Sequence, residues 1–335
     1  MHNIVLIRGD GIGPEITDSV IKVLNSAGAE INWIEAQAGM GAFEETGEPL
    51  PKKTVDLIDK YKVALKGPLA TPVGKGFRSV NVSLRQKFEL YCNIRPAKTL
   101  PGVRSPFTGV DLITFRENTQ GMYIGQERYV DGDENHAETI AVVTRSASER
   151  IIRSAFEYAI KHRRKKITLV HKANILKYTT GLFLEIGYEV ARDYPTVEFG
   201  DMIVDNTAMQ MVLNPHQFDI IVTTNLFGDI LSDLASGLVG GLGVTGSANI
   251  GDAHAMFEAV HGSAPDIAGQ GIANPTALLF SAIMMMRHVE EFKIADRILK
   301  AIHEVLPNDA VRTGDLGGRG NTMTYTDAIC KAMSN

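Results

Sequence analysis

Short apolar runs alternate along the chain with longer stretches in which apolar residues recur every three or four positions. The runs predict buried strands, and the periodic stretches predict amphipathic helices. The first strand is predicted at 3–7 and the first helix at 16–24, and a strand at 31–35, a helix at 51–60 and a strand at 63–66 follow. Strands that alternate with helices form a largely parallel sheet covered on both faces. The pattern therefore predicts an α/β fold.

The middle of the chain adds one helix and two strands to this prediction. The helix, 147–162, ends in the basic run 162–166. We interpret this run as cations near the negative end of the helix dipole, with a nucleic-acid patch as the alternative. Strands are predicted at 167–171 and at 202–205, and the second of them ends in the carboxylate of Asp205.

The stretch 219–237 carries the first chemical signal. Residues 220–222 predict a short buried strand, 225–228 its exit turn, and the segment from Asp229 the start of a helix. Asp229 and Asp233 are four residues apart, so both carboxylates project from one helical face. Such a pair fits a hard divalent cation, Mg²⁺ or Mn²⁺, whose preferred ligands are carboxylate oxygens. The alternative is a pair of acids that favour the positive end of the helix dipole.

Two turns that follow predicted strands are candidates for ligand contact. After the first strand, Gly9, Gly11 and Gly13 fall at every second residue, whereas a dinucleotide-binding turn has the spacing G-x-G-x-x-G. A turn whose backbone approaches a ligand is the favoured interpretation, and a phosphate-cradling Rossmann loop is the alternative. After the third strand, Lys66 and Thr71 offer an exposed ammonium and an exposed hydroxyl at the strand's carboxyl end, where such sheets bind ligands.

Three arginines have apolar neighbours, which predicts that some of their guanidinium groups are partly buried. They are Arg85, Arg95 and Arg116. A buried guanidinium requires an anion, and the carboxylates of a ligand can satisfy several arginines bidentately. Taken singly, an arginine of this kind is more often part of a structural ion pair. Three of them in one fold, together with the paired aspartates, favour a polycarboxylate ligand.

Length, composition and charge restrict the class of protein. A chain of 335 residues exceeds the usual size of one hydrophobic core, so we expect two lobes with an active-site cleft between them. The apolar content of 44% and the charged content of 22% are typical of soluble globular proteins. The formal net charge of -5 argues against broad nucleic-acid binding but allows a local basic pocket for an acidic metabolite.

Cysteine content and hydropathy indicate where the protein acts. Cys92 and Cys330 are the only cysteines, too few for a disulfide scaffold, which favours a reducing compartment. No apolar run reaches membrane-spanning length, and no signal or transit peptide is visible. We therefore expect a cytoplasmic protein with no membrane partner and no nucleic-acid partner.

Seven motifs occur in order over nearly the whole chain. They are 66–69 (KGPL), 78–85 (RSVNVSLR), 94–96 (IRP), 116–118 (REN), 171–174 (HKAN), 225–233 (NLFGDILSD) and 261–266 (HGSAPD). Together they resemble the isocitrate and isopropylmalate dehydrogenase family. The resemblance implies an α/β fold that is not a Rossmann fold.

The resemblance also implies two domains. The large coenzyme-binding domain combines both chain ends, 1–98 and 244–335, and the inserted smaller α/β domain, 99–243, carries a dimerisation arm and the metal site. Segments 96–99 and 240–245 fit the crossings between them, since they are rich in the Pro and Gly expected of hinges.

The dimer-clasping arm of the family matches a predicted β-hairpin. Two alternating runs, 122–130 and 139–144, flank a polar turn at 131–135 and read as a hairpin without reference to the family. The resemblance implies a homodimer with shared active sites, or a higher oligomer built from it.

The family's reaction assigns roles to the charged residues. The resemblance implies isocitrate as substrate and its NAD-dependent oxidative decarboxylation to 2-oxoglutarate and CO₂. The implied substrate-binding residues are Ser79, Asn81, Arg85, Arg95 and Arg116. The implied metal ligands are Asp229 and Asp233, with Asp205 from the partner subunit. Lys172, also expected from the partner, removes the hydroxyl proton, and Tyr123 protonates the enolate carbon after CO₂ leaves.

A glycine-rich loop takes the place of the missing Rossmann fingerprint. The coenzyme-binding residues implied by the resemblance are Lys66, Thr71, Asn174, Glu258, His261, Gly262, Ser263, Ala264, Pro265, Asp266, Ile267 and Asn274. Relatives that use NADP have a lysine and a tyrosine in place of Asp266 and Ile267. Because a carboxylate binds free ribose hydroxyls and repels a 2′-phosphate, we predict NAD as coenzyme. The alternative for Asp266 is a capping aspartate in a surface loop.

The family includes enzymes with different substrates and subunits without activity, so alternatives remain for this chain. Ser79 and Asn81 offer hydrogen bonds that suit the extra carboxylate of isocitrate and would be wasted on an isopropyl group. Homoisocitrate, which is one methylene longer, is the second candidate, and isopropylmalate the third. A catalytically silent regulatory subunit is a further alternative, although such subunits are expected to lose members of the tyrosine, lysine and aspartate set that are all present here.

Overall fold

A computed structural model, which describes residues 1–70, 78–132 and 134–334, contains a ten-stranded sheet and a separate two-stranded hairpin. Its strands are β1 His2–Ile7, β2 Ile31–Ala36, β3 Val63–Lys66, β4 Cys92–Lys98, β5 Asp111–Glu117, β6 Glu127–Tyr129, β7 Ala137–Thr139, β8 Lys166–His171, β9 Glu198–Ile203, β10 Ile220–Thr223, β11 Gly246–Ile250 and β12 Ala255–Ala259. Its α-helices are α1 Gly13–Ser26, α2 Met40–Thr46, α3 Lys52–Tyr61, α4 Val80–Lys87, α5 Arg145–His162, α6 Thr179–Ala191, α7 Val204–Leu213, α8 Asn225–Val239, α9 Thr276–His288, α10 Phe292–Val305 and α11 Thr322–Ala332.

The large sheet is mostly parallel, as predicted. Its strand order is β2-β1-β3-β12-β11-β4-β5-β10-β8-β9. The antiparallel pairs lie in the middle, where β4 pairs with β5 and β11 and β11 pairs with β12. The remaining neighbours run parallel in two blocks, β2-β1-β3-β12 and β5-β10-β8-β9, and the three antiparallel pairings between the blocks give them opposite directions.

Helices cover both faces of the sheet, and alternate strand residues enter different hydrophobic clusters. In β1, Ile4 and Leu6 pack in the cluster formed with α1, α9, α10 and α11, while Val5 and Ile7 pack in the cluster formed with α3 and α4. This alternation follows from the two-residue period of a strand. Burial on both faces explains why the strands read as continuous apolar runs in the sequence.

Two predicted boundaries near the aspartates predicted to bind a metal are wrong. Residues 225–228 are the first turn of α8 and not an exit turn, so Asp229 lies in the second turn of that helix. Strand β9 ends at Ile203, and Asp205 is the second residue of α7 and not the end of a strand. Helix α7 begins directly after β9, and the apolar residues Ile203 and Val204 hide that change from strand to helix, whereas α8 begins one residue after β10, at Asn225.

The predicted hairpin exists but is shorter than its sequence pattern. The paired strands β6 and β7 are three residues each, whereas 122–130 and 139–144 were expected to pair. Residues Met122–Ile124 form a turn of 3₁₀ helix instead, which explains why their apolar character does not continue the strand.

The predicted division into domains 1–98 plus 244–335 and 99–243 stays a prediction. Of the two predicted crossings, 240–245 lies between α8 and β11, whereas residues 96–98 of the other belong to strand β4. The chain passes from β4 to β5 just after residues 96–99 and from α8 to β11 at 240–245. The large sheet is continuous at this place, because β4 pairs with both β5 and β11. Within the described ranges, no helix combines the length and hydropathy needed to cross a membrane.

Candidate active site

A buried ion cluster surrounds Glu258 at the carboxyl end of β12. Lys66 lies opposite it on the parallel neighbour β3, and its Nζ is 2.7 Å from Glu258 Oε2. Arg85 of α4 places Nη2 3.0 Å from Glu258 Oε1. Burial opposes the ionisation of Glu258, but Lys66 and Arg85 outweigh it and hold the pKa of this carboxyl group far below its usual range. We call these three residues the Glu258 cluster.

The expected exposure of the Lys66 ammonium is therefore wrong. Lys66 is 1% exposed, and its Nζ also donates to the carbonyl oxygen of Gly67 at 3.0 Å. The strand that carries it is internal to the sheet, so a charge there has to be paired, and Glu258 provides the partner. Thr71, expected beside it, lies outside the described residues.

A second cluster surrounds Asp229 in α8. Arg116 Nη1 forms a hydrogen-bonded ion pair with Asp229 Oδ1, and Tyr123 Oη donates to Asp229 Oδ2 at 2.5 Å. Arg95 Nη1 lies 3.0 Å from Asp233 Oδ1 and 3.6 Å from Asp229 Oδ1. The structure thus brings together two arginines, two aspartates and the tyrosine that the sequence assigned to substrate, metal and catalysis. We call these five residues the Asp229 cluster.

The Asp229 cluster pairs two cations with two anions, and burial and neighbouring charges shift the pKa values of all four groups. Burial and the nearby Arg85 lower the pKa of both Arg95 and Arg116. Burial raises the pKa of Asp233, and the adjacent Asp229 contributes to the rise against the opposing effect of Arg95. Burial also opposes ionisation of Asp229, but Arg116 outweighs it and the pKa of Asp229 is lowered. An anion beside the arginines and a cation beside the aspartates would both be stabilised.

A cavity of about 140 Å³ is lined by members of both clusters. Its lining residues are Lys66, Pro68, Leu69, Asn81, Arg85, Arg95, Ser247, Glu258, Ala259, Val260, His261 and Gly262. The cavity therefore joins three of the predicted substrate-binding residues to four of the predicted coenzyme-binding residues.

Several buried polar atoms at this place lack a hydrogen-bond partner within the described part of the chain. They are Asn81 Oδ1, Arg85 Nε, Arg95 Nε, Arg116 Nη2 and His261 Nε2. Buried polar groups normally have a partner, and each one without a partner costs free energy. Three of these atoms belong to guanidinium groups, so the site is prepared for an anionic ligand.

Ser79 and Asn81 lie at the start of α4, the helix that also carries Arg85. Ser79 is exposed at the N-cap position, and its side chain makes no capping hydrogen bond. Asn81 is half-buried and lines the cavity. The N-terminal turn of α4 thus presents polar side chains beside the Glu258 cluster.

Lys172 and Asp205 form a separate pair. Lys172 Nζ lies 2.6 Å from Asp205 Oδ1, and the two residues follow β8 and β9 respectively. Among the described residues there is no group of three His, Cys, Asp or Glu side chains that could hold a metal ion. A single chain thus does not assemble Asp205, Asp229 and Asp233 into one site, and their meeting across two subunits stays a prediction.

The predicted coenzyme loop lies after β12. Residues Pro265–Ile267 form a 3₁₀ turn, preceded by Ala264 in the left-handed region with φ +38°. Asp266 is exposed, and its carboxylate makes no hydrogen bond to any described residue, which argues against a capping role. Ile267 is half-buried.

The two predicted asparagines of the coenzyme site have different surroundings. Asn274 is buried, and its Nδ2 donates to Asp315 Oδ2 at 3.0 Å while its Oδ1 accepts from Thr276. Asn174 is exposed in the loop that follows Lys172. The structure therefore places Asn174 with the Lys172 pair and not among the residues that line the cavity.

The glycine turn after β1 packs against two other loops, which is sufficient to require glycine at these positions, and its approach to a ligand stays a prediction. A Cβ on Gly9 would come within 2.2 Å of Pro68 O, and one on Gly11 within 1.9 Å of Ser263 O. Asp10 between them accepts a hydrogen bond from the main-chain N–H of Ala70 at 2.8 Å. The backbone approaches the loops after β3 and β12, which border the cavity, and holds them together.

A buried amide network behind Glu258 was missed by the sequence interpretation. Asn249 Nδ2 donates to Glu258 Oε1 at 2.8 Å, and Asn249 Oδ1 accepts from Asn93 at 3.0 Å and from Asn118 at 2.8 Å. All three asparagines are buried in neighbouring strands or at their ends. Single asparagines in apolar runs carry no spacing signal, so only strand pairing reveals that they meet.

Comparisons with known proteins find relatives over nearly the whole chain. A profile of the family described as isocitrate/isopropylmalate dehydrogenase matches residues 3–332. A crystal structure of isocitrate dehydrogenase from Methylococcus capsulatus is similar with a TM-score of 0.97 and 55% identity, covering 100% of both chains. The mitochondrial NAD isocitrate dehydrogenase catalytic subunit 5 of Arabidopsis thaliana is 48% identical over 326 residues, which is 97% of this chain and 87% of that protein. The isocitrate/homoisocitrate dehydrogenase of Thermus thermophilus is 48% identical over 337 residues, which is 100% of this chain and 99% of that protein.

Proposed function

The chain belongs to the isocitrate/isopropylmalate dehydrogenase family, and we therefore propose that it catalyses the NAD-dependent oxidative decarboxylation of isocitrate to 2-oxoglutarate and CO₂. The observation that carries this proposal is the cavity shared by the Glu258 cluster and the Asp229 cluster. It combines unpartnered guanidinium nitrogens with a nearby pair of carboxylates and a tyrosine.

The arginines account for recognition of the substrate. Isocitrate carries three carboxylates, and Arg85, Arg95 and Arg116 each retain one guanidinium nitrogen without a partner among the described side chains. Planar guanidinium groups bind carboxylates bidentately, and burial strengthens these charge-assisted hydrogen bonds. Asn81 and Ser79, at the start of α4, add neutral hydrogen bonds for the side arm of the substrate.

Two residues account for the proton transfers. Burial and the hydrogen bond to Asp229 raise the pKa of Tyr123, so the phenol stays protonated and can donate a proton. The Arg116 guanidinium lies 5.1 Å from the Tyr123 ring and opposes this rise, which favours the phenolate once the proton has left. The partner subunit's Lys172 would accept the hydroxyl proton at the start of the reaction.

The donor set fits a divalent metal. Asp229 and Asp233 lie on one face of α8, and the raised pKa of Asp233 reflects burial together with the like charge beside it. Carboxylate oxygens of this kind would hold Mg²⁺ or Mn²⁺ together with the partner subunit's Asp205. A bound divalent ion would acidify the substrate hydroxyl and stabilise negative charge on that oxygen.

The coenzyme assignment rests on the loop after β12. NAD would accept the hydride from the substrate carbon. His261 and Gly262 line the cavity, and the free carboxylate of Asp266 is available to ribose hydroxyls. The same carboxylate would repel the 2′-phosphate of NADP, which supports a preference for NAD.

Steady-state kinetics of the purified protein test the proposal. Isocitrate, homoisocitrate and isopropylmalate are each supplied with NAD and with NADP, in the presence of Mg²⁺ or Mn²⁺, and NAD(P)H formation and CO₂ release are followed. We expect the highest kcat/KM for isocitrate with NAD. An enzyme with no isocitrate activity, or with oxidation but no CO₂ release, would refute the proposed reaction.

Homoisocitrate is the second candidate substrate. The Thermus thermophilus relative, which matches the full length of this chain, is named an isocitrate/homoisocitrate dehydrogenase. The two substrates differ by one methylene, and such a difference is worth only about 10- to 200-fold in kcat/KM. The rates measured with the two compounds therefore decide between them.

A silent regulatory subunit is disfavoured by the reactive side chains that this chain carries. Tyr123 and Asp229 are hydrogen-bonded to each other, and Lys172 and Asp205 form an ion pair. These contacts keep the reactive side chains ordered. Activity of the purified chain without any other subunit distinguishes a catalytic from a regulatory protein.

A homodimer with shared sites completes the proposal. Helices α7 and α8 expose large apolar side chains: Met209, Val212, Leu213 and Ile230. The hairpin β6–β7 is exposed and pairs with no other described strand, although an isolated two-stranded hairpin is only marginally stable in water. A second copy that covers these surfaces would bury them and bring its own Lys172 and Asp205 to the site.

We also propose a cytoplasmic location. Both cysteines are free, and burial raises the pKa of the Cys92 thiol, which makes it unreactive. Fractionation of cells that produce the protein with an antibody against it would test this location, and recovery in another compartment would contradict it.

A further inference from the structure

The hydrogen bonds of His171 define which of its ring nitrogens carries the proton. His171 is the last residue of β8, is 5% exposed and directly precedes Lys172. The main-chain N–H of Ala173 donates to His171 Nδ1 at 3.0 Å. A main-chain N–H can only donate, so Nδ1 has to be the unprotonated acceptor. Nε2 therefore carries the proton and donates it to Asp201 Oδ2 at 2.8 Å.

Two further elements hold this tautomer in place. Asp201 lies on β9, the parallel neighbour of β8, and Tyr188 of α6 donates to Asp201 Oδ1 at 2.5 Å. Burial opposes ionisation of Asp201, but the hydrogen bonds from Tyr188 and His171 outweigh it and lower the pKa of this carboxyl group. An ionised carboxylate accepts hydrogen bonds only, so it selects the imidazole tautomer whose proton is on Nε2.

The main chain around Lys172 is fixed from several sides. Its N–H donates to Thr180 Oγ1 at 3.1 Å, and its carbonyl oxygen accepts from Ile175 at 3.0 Å and from Leu176 at 2.8 Å. The contact between His171 Nδ1 and Ala173 fixes the next peptide. With the main chain fixed, only the side-chain torsions of Lys172 are free, and its Nζ donates to Asp205 on α7.

We propose that His171 is a positioning residue for Lys172, acting as a hydrogen-bond acceptor that fixes the turn after β8. Asp201 and Tyr188 serve this function by keeping Nδ1 free of a proton. The inference rests on the proposed function, in which Lys172 acts on the substrate hydroxyl. With the other tautomer, an imidazole N–H would face the N–H of Ala173, and the turn that carries Lys172 would have to move.

Two substitutions separate the acceptor from the donor function. In His171→Asn, Oδ1 lies near the position of Nδ1 and can accept from Ala173, but the contact with Asp201 is lost. In His171→Gln, the longer amide reaches the position of Nε2 and can donate to Asp201, but the acceptor for Ala173 is lost. Both are neutral amides, so each is a matched control for the other.

The kinetic expectation is specific to the chemical step. His171→Gln should lower kcat with isocitrate about 10- to 100-fold, as losses of a supporting hydrogen bond usually do, while KM for isocitrate and NAD changes by less than about threefold. His171→Asn should retain kcat within about threefold of wild type. If His171→Asn loses as much kcat as His171→Gln or more, the acceptor function is refuted, because a purely structural pairing with Asp201 predicts that order.

Asp201→Asn provides a second test of the inference if His171→Gln does not fold. Its amide can donate to Nε2 and favour the wrong tautomer, so kcat should fall about tenfold by loss of the same supporting contact. In the His171→Asn background no imidazole is left to be misdirected, so Asp201→Asn should cause no further loss. Equal losses in both backgrounds overturn the inference.

The same measurements distinguish the inference from the proposed function. Wild-type protein that does not oxidise isocitrate refutes the proposed function. Active wild-type protein whose Lys172→Ala variant keeps its kcat refutes the role of Lys172. Active wild-type protein that loses kcat in Lys172→Ala, but not in folded His171→Gln or in Asp201→Asn, refutes the positioning role of His171 alone.

Discussion

Glu258 and Asp229 show how the surroundings of an acidic side chain determine its charge and its partners. Glu258 is buried and pairs with two cations, which keep its carboxyl group ionised. Asp229 is half-buried, pairs with Arg116 and with Arg95, which it shares with Asp233, and accepts a hydrogen bond from the phenol of Tyr123. Glu258 thus fixes the positions of Lys66 and Arg85, whereas Asp229 and Asp233 remain able to exchange an arginine for a metal ion.

Asp229→Asn tests the metal site at the level of one residue. The amide offers one oxygen in place of a charged carboxylate, so metal binding and turnover should fall by about 100-fold or more. The measurement is kcat/KM as a function of Mg²⁺ concentration, with circular dichroism to confirm folding. Asp56→Asn, an exposed aspartate that pairs with Lys52 four residues earlier, is the control and should behave as wild type. Near-normal activity of Asp229→Asn at low Mg²⁺ would contradict the metal assignment.

Glu258→Gln tests the buried ion cluster and its pH dependence. The lowered pKa of Glu258 means that its ionised form stabilises the folded state at pH values above the unfolded-state pKa of about 4.3, and that this contribution falls as pH drops below it. Removing the charge should lower the free energy of unfolding at pH 7 by about 3 kcal/mol, since Lys66 and Arg85 lose a buried partner. Urea unfolding at pH 7, 5 and 3.5 measures both effects.

The difference between Glu258→Gln and wild type should therefore shrink at pH 3.5. Glu157→Gln, at an exposed position of α5, is the matched control and should change stability by less than about 0.5 kcal/mol. A difference that stays constant at all three pH values would show that the charge of Glu258 is not responsible.

At the scale of elements, parallel strands deliver most of the site. Lys66 ends β3, Glu258 lies one residue from the end of β12, and Arg116 lies one residue from the end of β5. Helix α8 follows β10, the parallel neighbour of β5, so Asp229 is carried to the carboxyl end of β5, a strand that runs opposite to β3 and β12. Arg95 comes from the antiparallel strand β4 and reaches Asp233 from within that strand. The loop after β12 then extends the site towards the proposed coenzyme.

The loop substitution Asp266→Lys combined with Ile267→Tyr tests coenzyme choice at this scale. The wild-type enzyme should prefer NAD by at least about 100-fold in kcat/KM, because NADP would bring two like charges together. The double variant should shift the ratio towards NADP, since the new ammonium and phenol can bind the 2′-phosphate. Kinetics with both coenzymes at saturating isocitrate measure the ratio. Equal use of NAD and NADP by wild type would refute the role of Asp266.

At the scale of the whole molecule, one chain holds two incomplete groups. Tyr123, Asp229 and Asp233 lie together, and Lys172 pairs with Asp205 elsewhere. In the proposed homodimer, a second copy covers the exposed apolar side chains of α7 and α8 and the hairpin β6–β7 and joins the two groups.

Subunit complementation tests the shared site. Lys172→Ala and Tyr123→Phe homodimers should each be inactive. After subunit exchange, each hybrid has one site with both defects and one with neither, so random mixing should recover about 25% of wild-type activity. Exchange is monitored independently with differently tagged chains. Demonstrated exchange without recovery would show that both residues act within one chain.

The sequence by itself determined the class of fold and the chemistry of the candidate site. Alternation of apolar runs with helical periodicity is a local property, so β1, β2, β3, α1 and α3 were correctly predicted, whereas the short helix α2 was not. Charged residues with apolar neighbours, such as Arg95 and Arg116, are also visible locally, and both are buried as expected.

Only the tertiary structure decided which of these residues meet. Lys66 and Glu258 are far apart in sequence, and the pairing of β3 with β12 turned an expected surface ammonium into a buried ion pair. Asn249 gave no signal and His171 appeared only as part of a motif, because the function of a lone polar residue depends on partners from other strands. Propensity and periodicity act over a few residues, whereas ion pairing, tautomer choice and burial depend on contacts that exist only after strands and helices have packed.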